Sequence, residues 1–151
     1  MIKEIAHNQT EYKDSLDKLG DKLQRFPQVD MPLIHLFAPG VYYREIFMPA
    51  GTIVIGHEHK TEHFNIVLSG KARVMMNGEI HLIKGPDVFV SGPGVSKVLY
   101  ILENMRWATI HPSDETNIEV LEDILVNKSP SYYKYEKMID ELLGIEAKES
   151  L

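Results

Sequence analysis

Residues 51–70 have the sequence GTIVIGHEHKTEHFNIVLSG and place three of the chain's seven histidines, His57, His59 and His63, within seven positions. β-Branched runs on both sides of the cluster favour strands over a helix. The side-chain period of two puts His57 and His59 on the strand face that carries the preceding isoleucines, so both imidazoles should point inward. His63 begins the next strand and should face inward together with Asn65. Two adjacent antiparallel strands can therefore bring three imidazoles together inside a barrel.

Three converging neutral imidazoles suit zinc, iron, nickel or copper, and they leave coordination positions open for water or substrate. The same stretch admits two other interpretations. His59-x-x-Glu62-His63 matches the inverted zinc-peptidase pattern, but that chemistry needs a helix, and the flanking runs are typical of strands. HEHKTEH could also be a polar surface turn whose histidines coordinate nothing.

The composition limits the class of protein. A length of 151 residues favours one folded domain, and 44% hydrophobic with 25% charged residues is ordinary for a globular protein. The net charge of −6 argues against a partner that is a nucleic-acid polymer, because no broad basic field would attract phosphates. With no cysteine, thiolate metal sites and disulfides are excluded. No apolar run approaches membrane-spanning length, so we expect a cytoplasmic protein without a membrane partner.

The chain divides into three stretches with different patterns. Residues 1–30 contain an amphipathic helical pattern, and we expect them to form an N-terminal helical arm. Residues 31–111 consist of nine short β-branched or aromatic runs separated by Pro and Gly, which predicts an antiparallel barrel or sandwich. Asn77-Gly78 between two of these runs predicts a two-residue hairpin turn. Residues 112–151 form a C-terminal helical extension, with one helix over TNIEVLEDILV and a second starting at Ser129-Pro130.

The pattern Gly51-x5-His57-x-His59-x3-His63-x6-Gly70 resembles the first motif of the cupins, in which a glutamate normally holds the position of His63. The stretch from Asp87 through SGPGVSK to Lys97 is similar to the second cupin motif. The resemblance covers roughly residues 33–111. It implies a mainly β fold, a double-stranded antiparallel β-barrel with flanking N- and C-terminal helices, which is often dimeric. It also implies one divalent transition metal (iron, zinc, nickel or manganese) inside the barrel.

Two departures from the motifs affect the site. His63 replaces the family's glutamate, and Lys97 replaces the closing histidine of the second motif. A protonated lysine is not a routine metal ligand. Lys97 could instead pair with an anionic substrate group, serve as a base if its pKa is lowered, or be a solvated lysine at the barrel rim. The candidate metal ligands are therefore His57, His59 and His63, and the candidate catalytic residues are Lys97 and Glu62.

Further polar residues of the predicted strands could orient a substrate: Tyr43, Arg44, Asn65, Arg73 and Arg106. Two other histidines are weaker candidates. His81 lies in a hairpin arm and is expected to be structural, and His111, at the end of the last strand, is expected to be a strand-end residue with a smaller chance of supplying a fourth ligand.

Two functions fit these residues. The first is a metal-dependent cupin enzyme of the oxygenase, isomerase or hydrolase type that acts on a small polar or anionic molecule, because the fold does not determine the chemistry. The second is a non-catalytic cupin that binds a small ligand. The compact format with flanking helices resembles small phage cupins, so that the protein could be a sponge, or a degrading enzyme, for a host nucleotide signal. A homodimer is possible in either case.

Overall fold

The computed structural model describes residues 29–56, 58–127, 144 and 148–149. The described strands and helix, in chain order, are β1 (Leu33–Ala38), β2 (Val41–Met48), β3 (Ile53–Gly56), β4 (Glu58–His59), β5 (His63–Met76), β6 (Glu79–Lys84), β7 (Asp87–Ser91), β8 (Lys97–Pro112), α1 (Ile118–Leu125), β9 (Val126–Asn127) and β10 (Lys148–Glu149). All nine runs that the sequence marks as strands lie in these elements.

The strands form two faces that share the long strands β5 and β8. The second half of β8 pairs with β2 and with the first half of β5, and β1 and β7 extend this face on either side. The first half of β8 pairs with β3 and with the second half of β5, and β6 extends the other face. All of these pairings are antiparallel. The predicted mainly β, antiparallel barrel is confirmed.

The hairpin between β5 and β6 turns at the predicted residues. Asn77 and Gly78 have φ angles of 51° and 78°, and the flanking residues Met76 and Glu79 face each other in the β5–β6 register. Two successive residues with positive φ match the right-handed twist of a two-residue hairpin. The Asn-Gly pair therefore sets the register of this arm.

Ser69-Gly70 separates two of the nine predicted runs, HFNIVL and ARVMM, but the structure has a bend inside β5 at this point rather than a chain reversal. The β5–β8 pairing shifts register between Val67 and Ala72, which is the pattern of a β-bulge. Gly70 lies in this bend with a φ of 95°, and a Cβ there would lie 2.4 Å from the backbone oxygen of Asn104. The glycine thus lets β5 and β8 approach closely where the chain passes from one face to the other.

We expect Gly70→Ala to destabilise the fold by about 1–3 kcal/mol more than Gly78→Ala. Both glycines have positive φ, so the backbone strain of alanine is shared by the two variants. Only Gly70 is crowded, since a Cβ at Gly78 would meet nothing within 4 Å. Urea unfolding of both variants measures the difference, and equal losses of stability would show that the close approach at Gly70 is unimportant.

The main core lies between the two faces. Its fully buried side chains, each with 0% relative solvent exposure, include Val67, Val74, Ile83, Ile101 and Met105. These residues come from β5, β6 and β8, so the long shared strands contribute most of the packing. One end of the space between the faces stays open for the cavity described below.

Helix α1 closes that end of the barrel. Asn117 is its N-cap, and its side-chain oxygen accepts a hydrogen bond of 3.2 Å from the backbone N–H of Val120. Leu121 and Leu125 form the buried stripe of the helix and pack with Tyr42 of β2. The first predicted C-terminal helix is therefore confirmed.

The predicted N-terminal helix and the helix predicted to start at Ser129-Pro130 fall on residues outside the described ranges. The assignment of 1–30 and 112–151 as helical flanks thus stays a prediction apart from α1. Among the described residues, no helix is long and apolar enough to cross a membrane.

Candidate metal centre

Three histidines from three strands meet at the end of the barrel that α1 covers. His59 lies in β4, His63 is the first residue of β5, and His111 is the penultimate residue of β8. His63 and His111 are brought together because β5 and β8 run antiparallel, with Phe64 opposite Ile110. The peptidase interpretation of His59-x-x-Glu62-His63 is wrong, since the two histidines lie on separate strands rather than on one helix.

The three imidazoles are close enough to hold one metal ion. The ring centroids are separated by 4.2 Å for His59–His63, 5.1 Å for His59–His111 and 4.9 Å for His63–His111. One ring nitrogen from each residue lies within 4.8 Å of the other two. Nitrogens at ~2.1 Å from a tetrahedral ion are about 3.4 Å apart, so small side-chain rotations would bring the three onto one ion.

Each ring also has one buried nitrogen without a hydrogen-bond partner: His59 Nδ1, His63 Nε2 and His111 Nδ1. A buried polar atom without a partner is costly, so three of them in one cluster are a strong sign of an atom that they bind. The second nitrogen of two rings is held in place. His63 Nδ1 donates to the backbone oxygen of Thr61 at 2.9 Å, and His111 Nε2 lies 3.1 Å from Thr109 Oγ1. Such partners orient a metal-binding imidazole.

Burial keeps the three imidazoles in the neutral form that metal binding requires. Desolvation lowers the pKa of His59 to about 2, with smaller contributions from the neighbouring histidines and from Lys97 and Arg44. Desolvation also lowers the pKa of His111 to about 4 and that of His63, although the Thr61 backbone opposes the shift at His63. Neutral rings offer their lone pairs without first losing a proton.

The segment after α1 holds His59 in position. β4 and β9 form a short antiparallel pair in which His59 lies opposite Val126. The backbone N–H of Lys60 donates to the backbone oxygen of Leu125 at 2.8 Å, and the backbone oxygen of His59 accepts from the backbone N–H of Gly94 at 3.0 Å. The backbone of this histidine is therefore tied both to the C-terminal segment and to the loop before β8.

A cavity of about 350 Å³ lies next to the histidine cluster and is lined by His59 and His111. Its wall is largely apolar, and the side chains that form it include Ile46, Met48, Val54, Leu99, Leu121 and Leu125. Arg44 and Lys97 add two basic groups to this wall. The cavity thus combines a candidate metal centre, two basic side chains and an apolar surface.

Lys97 points into this cavity and ends a chain of buried hydrogen bonds. Its ammonium donates to Ser91 Oγ at 3.0 Å, and Ser91 also accepts from the Asn65 amide at 2.9 Å. The Asn65 carbonyl oxygen in turn accepts from the Trp107 indole N–H at 3.0 Å. The ammonium lies 5.5 Å from the Trp107 ring centroid and 5.7 Å from that of Phe89. Burial lowers the pKa of Lys97 to about 8, so the solvated-rim interpretation does not describe this residue.

The structure separates the five residues expected to orient a substrate. Arg44 and Asn65 line the cavity. Tyr43 and Arg106 lie elsewhere, since the Tyr43 hydroxyl donates to Glu45 at 2.6 Å and the Arg106 guanidinium binds the same carboxylate at 2.9 Å. The fifth residue, Arg73, is not among the residues that line the cavity.

The remaining sequence candidates are also dispersed. Glu62 is exposed and lines a separate surface cleft together with His63, so it is placed away from Lys97. His81 Nε2 lies 3.6 Å from a carboxylate oxygen of Glu79, and His81 is not part of the histidine cluster. His57 falls outside the described residues, so its role as a ligand stays a prediction. His111, which the sequence suggested only as a possible fourth ligand, is a full member of the cluster.

The two motif stretches meet at this site. Gly56 and Lys97 face each other in the β3–β8 register, and His63 and Ser91 face each other in the β5–β7 register. The first motif is thereby placed against the second around one cavity, inside an antiparallel barrel. The arrangement is cupin-like. The resemblance predicted this arrangement from residues 51–70 and 87–97 alone.

No family model and no curated protein matches the chain. Among solved structures, it is similar to the Cnp3 cupin domain of Schizosaccharomyces pombe (21% identity, 64% of this chain and 74% of that one, TM-score 0.46). It is also similar to a cupin-2 domain protein from Shewanella frigidimarina (17% identity, 62% of this chain and 90% of that one, TM-score 0.44). A third similar structure is a cupin superfamily protein from Desulfitobacterium hafniense (13% identity, 59% of this chain and 83% of that one, TM-score 0.48).

Proposed function

We propose that this small cupin is a metal-dependent enzyme that acts on a small polar or anionic molecule, with His59, His63 and His111 holding one divalent transition metal ion. The observation that carries the proposal is the set of three buried, unpartnered imidazole nitrogens, one on each ring, at the edge of a cavity. Iron, zinc, nickel and manganese are the candidate metals. Three protein ligands leave positions on the ion for water or substrate.

The residues present fit a divalent ion because all three donors are neutral and two are oriented by second hydrogen bonds. When bound, the ion would supply Lewis-acid or redox chemistry, which is compatible with oxygenation, isomerisation or hydrolysis. The chain's own groups then bind and orient the substrate. Asn65 and Ser91 fix the Lys97 ammonium in the cavity, and the apolar wall excludes water from the space beside the histidines.

Lys97 has two possible roles at this site. Its pKa of about 8 is near enough to neutral pH for the neutral amine to form, as a general base requires. Its hydrogen bond to Ser91 and its position near the Phe89 and Trp107 rings favour the charged form, as an anchor for an anionic group requires. The anchoring role needs no change in the observed contacts, and we assign it to Lys97.

A non-catalytic binding protein is the second candidate function. The contacts that hold Lys97 as a fixed cation support it, because capture of an anion needs the cavity and its charges but no acid or base. Glu62, the other candidate catalytic residue, is exposed and does not line the cavity. A sponge for a host nucleotide signal is one form of this candidate.

Metal analysis tests the proposal. We expect untagged protein to contain about one transition metal per chain by mass spectrometry, and metal-free protein to bind Zn²⁺ or Co²⁺ with the same stoichiometry. Metal at about 100 times its Kd should stabilise the fold by about 2.7 kcal/mol, which raises Tm by roughly 5–11 °C. Protein that contains no metal and shows no Tm increase with any of these ions would contradict the proposal.

A further inference from the structure

The two basic groups of the cavity lining lie on neighbouring strands. Arg44 and Lys97 both line the cavity. Arg44 lies opposite Thr109 in the β2–β8 register, and Thr109 lies opposite Asn65 in the β5–β8 register. Asn65 and the Lys97 ammonium both donate to the Ser91 hydroxyl. Within the part of the chain that the structure describes, no salt bridge joins either group to a carboxylate. Two cations beside neutral imidazoles form a locally positive site in a protein whose net charge is −6. Such a site favours an anion between the cations and the metal centre.

Glu122 of α1 is the one carboxylate among the described residues that line the cavity. Two basic side chains against one acidic side chain leave the lining with a net positive charge. An anionic group of a ligand should therefore lie against Lys97 and Arg44.

The rest of the wall is largely apolar, as described above for the side chains of β2, β3, β8 and α1. A volume of about 350 Å³ is small, since ligand pockets commonly measure about 300–1,000 Å³. A nucleotide would place ribose hydroxyls and base edges against aliphatic side chains without hydrogen-bond partners, which is costly. A ligand with one anionic group and an apolar body would leave no polar group unpaired.

We propose that the cavity binds a small carboxylate with an apolar body, with the carboxylate at Lys97 and Arg44 and the body against the aliphatic wall beneath α1. This inference rests on the proposed function for the position of the metal, because the carboxylate would lie beside the histidine cluster. Its own contacts come from residues that are not metal ligands. Carboxylate binding and metal binding can therefore be measured separately.

The experiment is calorimetric titration of metal-free and of zinc-loaded protein with straight-chain carboxylates from acetate to octanoate. We expect the affinity to increase roughly fourfold for each added CH₂ until the chain fills the cavity. The alcohol of the same chain length should bind at least about tenfold more weakly, because it lacks the charge. Alkyl phosphates of the same length distinguish the carboxylate from other anionic head groups, and AMP should not displace hexanoate.

Lys97→Met removes the charge and keeps an apolar side chain, and Lys84→Met is the matched control at an exposed position outside the cavity lining. We expect Lys97→Met to weaken the binding of hexanoate at least about tenfold and to leave the binding of hexanol and of zinc unchanged. The variant should still unfold in a cooperative transition. Lys84→Met should behave as wild type. Equal weakening of hexanoate by both variants would overturn the assignment of Lys97.

The remaining outcomes separate the two proposals. Chain-length-dependent carboxylate binding without zinc binding would support this inference and contradict the metal-dependent function. Three results obtained together with zinc binding would overturn the carboxylate proposal and leave the metal centre intact. The first is carboxylate affinity that does not depend on chain length. The others are tighter binding of alkyl phosphates than of carboxylates, and displacement of hexanoate by AMP.

Discussion

Replacing His59 and His111 together by alanine should abolish stoichiometric metal binding. Loss of a group that only orients a metal ligand weakens binding about 10–100-fold, so loss of two of three ligands should weaken it by well over 100-fold. The metal-free fold should persist, because the main core is formed by apolar side chains of β2, β3, β5, β6 and β8, and none of the three histidines is part of it. Zinc titration followed by calorimetry and metal analysis of the purified variant measure the effect.

His81→Ala is the matched control, since His81 lies on β6 in a surface pair with Glu79. It should bind metal as the wild type does. His57→Ala tests the sequence-based prediction of a ligand at a position that the structure does not describe. A strong loss of metal in His57→Ala would add a fourth ligand to the centre, whereas unchanged metal content in the His59→Ala/His111→Ala double variant would show that the ligands are elsewhere.

Metal-free protein should lose several kcal/mol of stability between pH 7 and pH 5. Burial lowers the pKa of His59 to about 2 and that of His111 to about 4, whereas an unfolded histidine has a pKa near 6.5. Between pH 6.5 and about 4 the unfolded chain takes up protons that the folded chain does not. The stabilisation from neutral imidazoles is therefore complete above pH 6.5 and decreases as the pH falls. The loss at pH 5 is about 2 kcal/mol for each of the two histidines.

Urea unfolding in the presence of a chelator, at pH 7 and at pH 5, measures this loss. The variant with His59→Gln and His111→Gln lacks both groups, so its stability should fall by about 4 kcal/mol less than that of the wild type over the same interval. The same pH dependence in both proteins would show that these imidazoles are not held neutral by the fold.

Most of the barrel could be predicted from the sequence because its signals are local. Alternating β-branched runs and the Asn77-Gly78 turn each act within a few residues. The long strands were predicted as separate pieces for a physical reason. Gly70 has a positive φ, which is typical of a turn, but it lies in a bulge that bends β5 against β8. Only the long-range β5–β8 pairing distinguishes such a bulge from a turn.

The candidate site was predicted in part. The period of two indicated that His63 and Asn65 face inward, and both are buried. His111 was underestimated because it joins the cluster through the β5–β8 pairing, across 48 residues of sequence, and no local pattern marks it. The pairing of β4 with β9, where β3 pairs with β8, is likewise not shown by local sequence.

Several expectations about partners stay predictions. The homodimer, the phage-type origin and the absence of a nucleic-acid polymer among the partners follow from resemblance and from the net charge of −6. The cytoplasmic location likewise stays an expectation from the sequence. Size-exclusion chromatography with light scattering would measure the oligomeric state directly.

The pairing of β4 with β9 has a consequence for how the site forms during synthesis. β5 and β8 are complete once Pro112 has left the ribosome, so His63 and His111 can come together before the rest of the chain is made. β4 meets its partner only after Val126 and Asn127 have emerged. A nascent chain thus has two donors in place before the third is fixed. Tight capture of a metal ion should follow translation of the C-terminal segment, and a chain that stops before Val126 should be released with an incomplete centre.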